Sequence, residues 1–264
     1  MGARIDIDGL STWTERRGSG EHTIVLLHGG LGNSDDLLDS IGATLGEKFR
    51  LVAFDRRGHG YTADTDAPFH YDDMATHAIA VLERVGGGAG GGAGVAAPVH
   101  LVGWSDGGIV AMLVALRRPD LVDRLSLIGV NFHFDGIHPL DFGDAAPPAV
   151  MLDAYAARSP DGADHFPVVA EKFMAMASTE PTLTPDDLAR IAHPTLVLVG
   201  DDDLVRLDHA VALYEALPAG QLCVVPGASH AVVLERPGFV AGVIEEFLLG
   251  PEPPETLIPI RRGR

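Results

Sequence analysis

Apolar residues in this chain cluster in short continuous runs, and each run is followed by a glycine-rich loop and then a longer stretch of helical apolar density. Short uninterrupted runs suit strands buried on both faces, and the longer stretches suit the helices that cover them. Residues 3–16 open differently. Arg4-Ile5-Asp6-Ile7 alternates and runs into Asp8-Gly9, which predicts a hairpin of two short strands. Strands are then predicted at Thr23–Leu27 and at residues 51–54, 99–102, 124–130, 195–199 and 222–225. Helices are predicted at residues 35–48, Tyr71–Val85, 109–116, 207–217 and Pro237–Leu249.

Strands alternating with helices at this spacing imply a mostly parallel sheet with helices on both faces, and such sheets bind ligands at the C-terminal ends of their strands. Three loops leave strands at that end: 28–34, 103–108 and 200–203; His230 follows the strand 222–225 in the same way. The rhythm stops over residues 131–192, where Pro139, Pro147, Pro148, Pro160, Pro167, Pro181 and Pro185 interrupt short helical pieces. An excursion bounded by parallel strands reads as an inserted helical lid, leaving 1–130 and 193–249 as one core. The glycine-rich stretch 86–94 reads as a flexible insertion. It neither follows a strand directly nor carries the Lys-Ser or Lys-Thr pair of a phosphate loop. The tail, 250–264, is expected to be poorly ordered or to lie on the surface.

With 264 residues, 46% of them hydrophobic and 21% charged, the chain can bury a large core and is not disordered. No apolar run approaches the ~20 residues that cross a bilayer, and the first residues lack a signal-peptide core, so a cytoplasmic protein is expected. The single cysteine, Cys223, rules out an intramolecular disulfide. A formal charge of −18 disfavours nucleic acid and anionic membranes as partners and makes a neutral or cationic small molecule easier to attract.

The chemistry centres on Gly103-Trp104-Ser105-Asp106-Gly107-Gly108. A strand that reverses into a helix within two or three residues crowds the bend, and glycines at 103 and 107 relieve that crowding. A serine hydroxyl needs a base, itself oriented by a carboxylate. Ser105, the run Asp201-Asp202-Asp203 and His230 follow one another in the order serine, acid, histidine, each just past a strand. The histidines lack paired spacing such as His-x-x-x-His on a helix, so no metal site is expected.

These segments, with Leu27-His28-Gly29-Gly30, Asp55-Arg56-Arg57-Gly58-His59-Gly60, Gly227-Ala228-Ser229-His230 and Glu235-Arg236-Pro237, resemble the α/β-hydrolase fold superfamily over residues 3–249. The resemblance implies an α/β-hydrolase fold, Asp203 as the acid with Asp201 and Asp202 as alternatives, and no cofactor. It also implies an oxyanion hole from the Gly30 and Asp106 amides, with Leu31 as the near alternative to Gly30. His28 and His59 are similar to family histidines that brace glycine turns. The string around Ser105 further resembles the valacyclovir-hydrolase-like, or biphenyl-hydrolase-like, branch, whose substrates are α-amino-acid esters. Asp106 and Trp104 then become candidate substrate-binding residues, the Asp106 carboxylate holding an ammonium. An aspartate nucleophile, as in haloalkane dehalogenases and epoxide hydrolases, is absent, since serine stands at 105.

The expected activity is hydrolysis of small-molecule carboxylic esters through an acyl-serine. The same residues would also serve carbon–carbon bond, lactone or amide hydrolysis or haloperoxidase-like perhydrolysis, and the fold also supports non-catalytic receptors. Lid residues Phe132, Phe134, Phe142, Tyr155, Phe166, Phe173, Met174 and Met176 either line an apolar pocket or pack the lid onto the core. Nothing in the sequence determines the oligomeric state.

Overall fold

The structure is a computed structural model that describes residues 2–85, 98–139, 148–252 and 256–258. The glycine-rich stretch 86–94, Phe142 and most of the tail lie outside the described residues.

Among the described residues one sheet of eight strands forms: β1 (Gly2–Ile7), β2 (Leu10–Arg17), β3 (Thr23–Leu27), β4 (Arg50–Phe54), β5 (Val99–Trp104), β6 (Val122–Ile128), β7 (Thr195–Asp202) and β8 (Gly220–Ser229). Their order is β1-β2-β4-β3-β5-β6-β7-β8. The β1–β2 and β2–β4 pairings are antiparallel, and every pairing from β4 to β8 is parallel. The hairpin turn has Asp8 at φ 51° and Gly9 at φ 88°, the left-handed pair that a two-residue hairpin requires.

The helices are α1 (Ser34–Leu38), α2 (Ile41–Leu45), α3 (Tyr71–Val85), α4 (Asp106–Arg117), α5 (Ala149–Ala156), α6 (Phe166–Ala177), α7 (Pro185–Leu188), α8 (Leu207–Ala216), α9 (Val232–Glu235) and α10 (Pro237–Leu249). Strand β3 shows why both sheet faces are covered. Ile24 and Leu26 pack with α1, α2, α9 and α10, whereas Val25 and Leu27 pack with α3, α4 and α8. The two-residue period of a strand splits one apolar run between two cores. Tyr155, Phe166, Val169 and Met176, from α5 and α6, continue the second core beyond the sheet.

The structure breaks the helix predicted over 35–48. Asn33 caps α1 through a reciprocal box with Asp36, and the Ser40 hydroxyl then bonds back to the Asp36 carbonyl. Ser40 leaves the helical region, with φ −93° and ψ −98°, and α2 starts afresh at Ile41. Strand boundaries move as well: β6 starts at Val122 and stops at Ile128, because Gly129 turns to φ 58°, while β5, β7 and β8 run on to Trp104, Asp202 and Ser229.

A single residue separates the end of β5 from the start of α4, so Ser105 alone makes the reversal, at φ 53° and ψ −122°. Its amide donates to the Ile128 carbonyl at 2.8 Å, which locks the bend onto β6. Side chains have no room here: a Cβ at Gly107 would collide with the Leu27 carbonyl of β3, and one at Gly103 with the Gly107 carbonyl. Replacing Gly107 by Ala should therefore force the sheet and α4 apart, costing about 3 kcal/mol or more. A thermal melt followed by circular dichroism checks this; a melting temperature within a degree or so of wild type would contradict it.

Several histidines are held neutral by burial. Desolvation, then the Arg56 charge, carries His59 down to about 3 and His77 to about 4, and desolvation, then Arg206, carries His209 to about 4. Unfolding returns each to an ordinary value near 6.5, so the unfolded chain binds more protons between that pH and the folded pKa values. Their contribution to stability is whole above about pH 6.5 and is lost as the pH falls toward 4 and below. Asp36, Asp55 and Asp106, raised chiefly by desolvation from 3.8, work in the opposite sense at the acid end of that window. The expected outcome is a lower melting temperature at pH 5 than at pH 7, and replacing His77 by a neutral residue should reduce that difference.

Candidate active site

Three loops converge at the C-terminal edge of the sheet. Ser105 stands at the β5–α4 bend, Asp203 follows β7 and His230 follows β8. His230 Nε2 lies 3.0 Å from Ser105 Oγ, and His230 Nδ1 lies 2.7 Å from Asp203 Oδ1. With the buried carboxylate accepting from Nδ1–H, Nε2 is left as the acceptor for the serine hydroxyl. Asp203 is itself fixed by the amides of Gly200 at 3.2 Å and Val205 at 3.0 Å. Gly129 makes room, since a Cβ there would come within 3.1 Å of the imidazole.

The neighbouring aspartates have other tasks. Asp201 accepts the amides of Gly227 and Ala228, bracing the irregular end of β8, and Asp202 is exposed. At the end of β8, Ser229 is pinned by Glu235, which accepts from its amide at 2.8 Å and its hydroxyl at 2.7 Å. That pairing explains the Glu235 of the sequence pattern and holds the start of the His230 loop.

Across the site, the loop after β3 brings Gly29 against Ser105 and Trp104, where a Cβ would lie 3.5 Å from the serine Cβ. Leu31 takes a left-handed backbone, φ 54°, and donates its amide to His59 Nε2 at 3.2 Å. The Leu31 amide is thus committed elsewhere. The Gly30 and Asp106 amides carry no partner among the described residues. A Cβ at Gly30 would collide with the Phe173 ring of α6 and lie 2.7 Å from Asp106 Oδ2, so a side chain there would have to displace both.

Asp106 is buried. Its Oδ1 accepts the Tyr71 hydroxyl at 2.7 Å, and Oδ2 has no hydrogen-bond partner although an Arg56 nitrogen stands 4.0 Å away. Desolvation raises the Asp106 carboxyl, against the pull of Arg56 and the Tyr71 hydrogen bond. Burial and the facing carboxylate push the Tyr71 phenol well above its usual range, so it remains a donor. The Trp104 indole N–H donates to the His230 carbonyl at 2.9 Å, and its ring packs on the core that includes Val225 and Ala228 of β8. It braces the histidine loop.

Tyr71 and Arg56 were not singled out by the sequence. Tyr71 opens an ordinary amphipathic helix, and Arg56 is one of two adjacent arginines of which only the first is buried. His28 and His59 do brace the glycine loops, each accepting a backbone amide at Nε2, from Arg56 and Leu31 respectively. Among the described residues no group of three or more His, Cys, Asp or Glu is disposed to hold a metal ion, and no helix is long and apolar enough to cross a membrane.

Residues 24–243 match the family model described as the alpha/beta hydrolase family. The serine hydrolase BPHL of Mus musculus is 26% identical over 266 residues, spanning 93% of this chain and 86% of that protein. The putative carbamate hydrolase RutD of Variovorax paradoxus is 30% identical over 244 residues, spanning 82% of this chain and 88% of that protein. Among solved structures, a serine hydrolase involved in carbazole degradation (CarC) superposes with a TM-score of 0.75 at 21% identity, covering 94% of this chain and 98% of that one. The match over most of its length identifies this chain as a member of the alpha/beta hydrolase family, with serine hydrolases among its relatives.

Proposed function

We propose that this protein hydrolyses small carboxylic esters through an acyl-serine intermediate, with α-amino-acid esters as its preferred class. The observation that carries the reading is the hydrogen-bonded line from Ser105 through His230 to Asp203. Ser105 Oγ attacks the ester carbonyl as His230 Nε2 takes its proton, and Asp203 keeps the imidazole in the required tautomer and offsets its transient charge. The carbonyl oxygen, now anionic, lies between the Gly30 and Asp106 amides. His230 returns the proton to the departing alcohol. Water then repeats the sequence on the acyl-serine, with His230 as base.

The amino-acid preference rests on Asp106 Oδ2, a buried carboxylate oxygen without a hydrogen-bond partner one residue from the nucleophile. An α-ammonium group would supply that partner as a charge-assisted bond. Residues 131–192 act as a lid, and Phe173 supplies an apolar wall beside Gly30.

A fluorophosphonate probe should label the purified protein, and Ser105→Ala should abolish labelling and p-nitrophenyl ester hydrolysis while leaving the fold intact. An unlabelled wild type that is stabilised by small molecules without turning them over would make it a receptor instead. Separately, kcat/KM for an α-amino-acid ester should exceed that for its N-acetylated counterpart by about tenfold or more. Equal values would remove Asp106 from substrate recognition and leave only its amide.

A further inference from the structure

We infer that Arg56 is a positioning residue for the reaction, acting on the oxyanion through the Gly29–Gly30 peptide; this rests on the oxyanion role proposed above for the Gly30 amide. Arg56 is 1% exposed and lies two residues past the end of β4. Its Nη1 donates to the His28 carbonyl at 2.8 Å and its Nη2 to the Gly29 carbonyl at 2.9 Å. The Gly29 carbonyl also accepts from His28 Nδ1–H at 2.7 Å, because His28 Nε2 is already the acceptor for the Arg56 amide. One peptide oxygen therefore holds two donors, one of them cationic.

The carbonyl of Gly29 and the amide of Gly30 belong to the same trans peptide and point in opposite directions. Two donors on the oxygen fix the plane of that peptide and draw electron density toward the oxygen, which makes the N–H a stronger donor. The same guanidinium stands 4.0 Å from the carboxylate of Asp106, the residue whose amide is the second candidate donor. Arg56 thus links the two halves of the oxyanion hole without touching substrate. A structural arginine alone would hardly require such a place, since desolvating a guanidinium is costly and its Nε remains unpartnered.

The test compares wild type with Arg56→Met and Arg56→Lys, using p-nitrophenyl acetate and a trifluoromethyl ketone labelled with carbon-13 at its carbonyl. The ketone forms a hemiketal on Ser105, and its carbon-13 shift against pH reports the oxyanion's pKa directly. Arg56→Met should lower kcat by about tenfold or more with KM within about twofold, and should raise the hemiketal pKa. Arg56→Lys, which keeps the charge but cannot span both carbonyls, should fall between. Unchanged kcat and hemiketal pKa in a folded Arg56→Met, or a change in KM alone, would overturn the inference. If Arg56→Met does not fold, Arg56→Lys decides: wild-type kcat and hemiketal pKa in that variant overturn it. A wild-type protein that forms no hemiketal and takes no fluorophosphonate overturns the hydrolase reading itself, whereas wild-type labelling beside an inert Arg56 variant series overturns only the role of Arg56.

Discussion

The contact between the first turn of α4 and the end of β3 is the constraint on which the rest of the site depends. Gly107 sits so close to the Leu27 carbonyl that no Cβ fits, and this approach is possible only because Ser105 absorbs the whole reversal from strand to helix at positive φ. Strain at a non-glycine residue costs of order 1–3 kcal/mol and persists where the surroundings over-determine it. Here the Ser105 amide bond to β6, the core on both sides of the sheet and the missing side chains at 103 and 107 do so. The result is a hydroxyl held above the sheet edge, with a helix N-terminus directly behind it.

That arrangement would be incomplete without the loop after β3. The same helix approach that excludes a Cβ at Gly107 brings Gly29 against Ser105 and Gly30 against Asp106. The loop is then held from behind by neutral, fully buried histidines. Burial keeps His28 and His59 uncharged, each with Nε2 free to accept a backbone amide. Protonating either would remove an acceptor and place a second cation beside Arg56, so their depressed basicity and their bracing role have one cause.

How much of this could be read from the residues depended on whether the governing physics was local. The bend at Ser105, the parallel strands and the order serine, acid, histidine are local consequences of glycine spacing and apolar runs, and they were legible. The choice of Asp203 over Asp201 and Asp202 rested on the family resemblance alone, because adjacent carboxylates differ only in which one the strand end turns inward. Asp203 faces His230, while Asp201 is spent on the amides of β8. The helix over 35–48 failed for a similar reason: the back-bond of Ser40 to Asp36 competes with the backbone ladder, and apolar periodicity is blind to it. Arg56 and Arg57 are chemically identical in sequence. Tertiary packing alone sends the first under the oxyanion loop and the second onto the surface loop, where it bonds Thr65 and Ala67.

The charges around Ser105 also bear on why an amino-acid ester would suit the proposed chemistry. With His230 Nε2 accepting from Ser105 before reaction, the imidazole carries no charge, and the carboxylates of Asp203 and Asp106 against the one Arg56 guanidinium leave an excess of one negative charge. An α-ammonium entering beside Asp106 compensates that excess while the carbonyl is still planar. When the tetrahedral intermediate forms, the Ser105 proton passes to His230 as the carbonyl oxygen becomes anionic, so the net charge is unchanged but a full negative charge now lies next to the α-ammonium. The attraction is therefore greater in the transition state than in the bound substrate, which is the condition for binding energy to appear in kcat. An N-acetylated ester brings no positive charge, and its oxyanion depends on the two amides and the distant guanidinium alone. The protein's net charge of −18 adds to the same preference at longer range, drawing cationic esters toward the site.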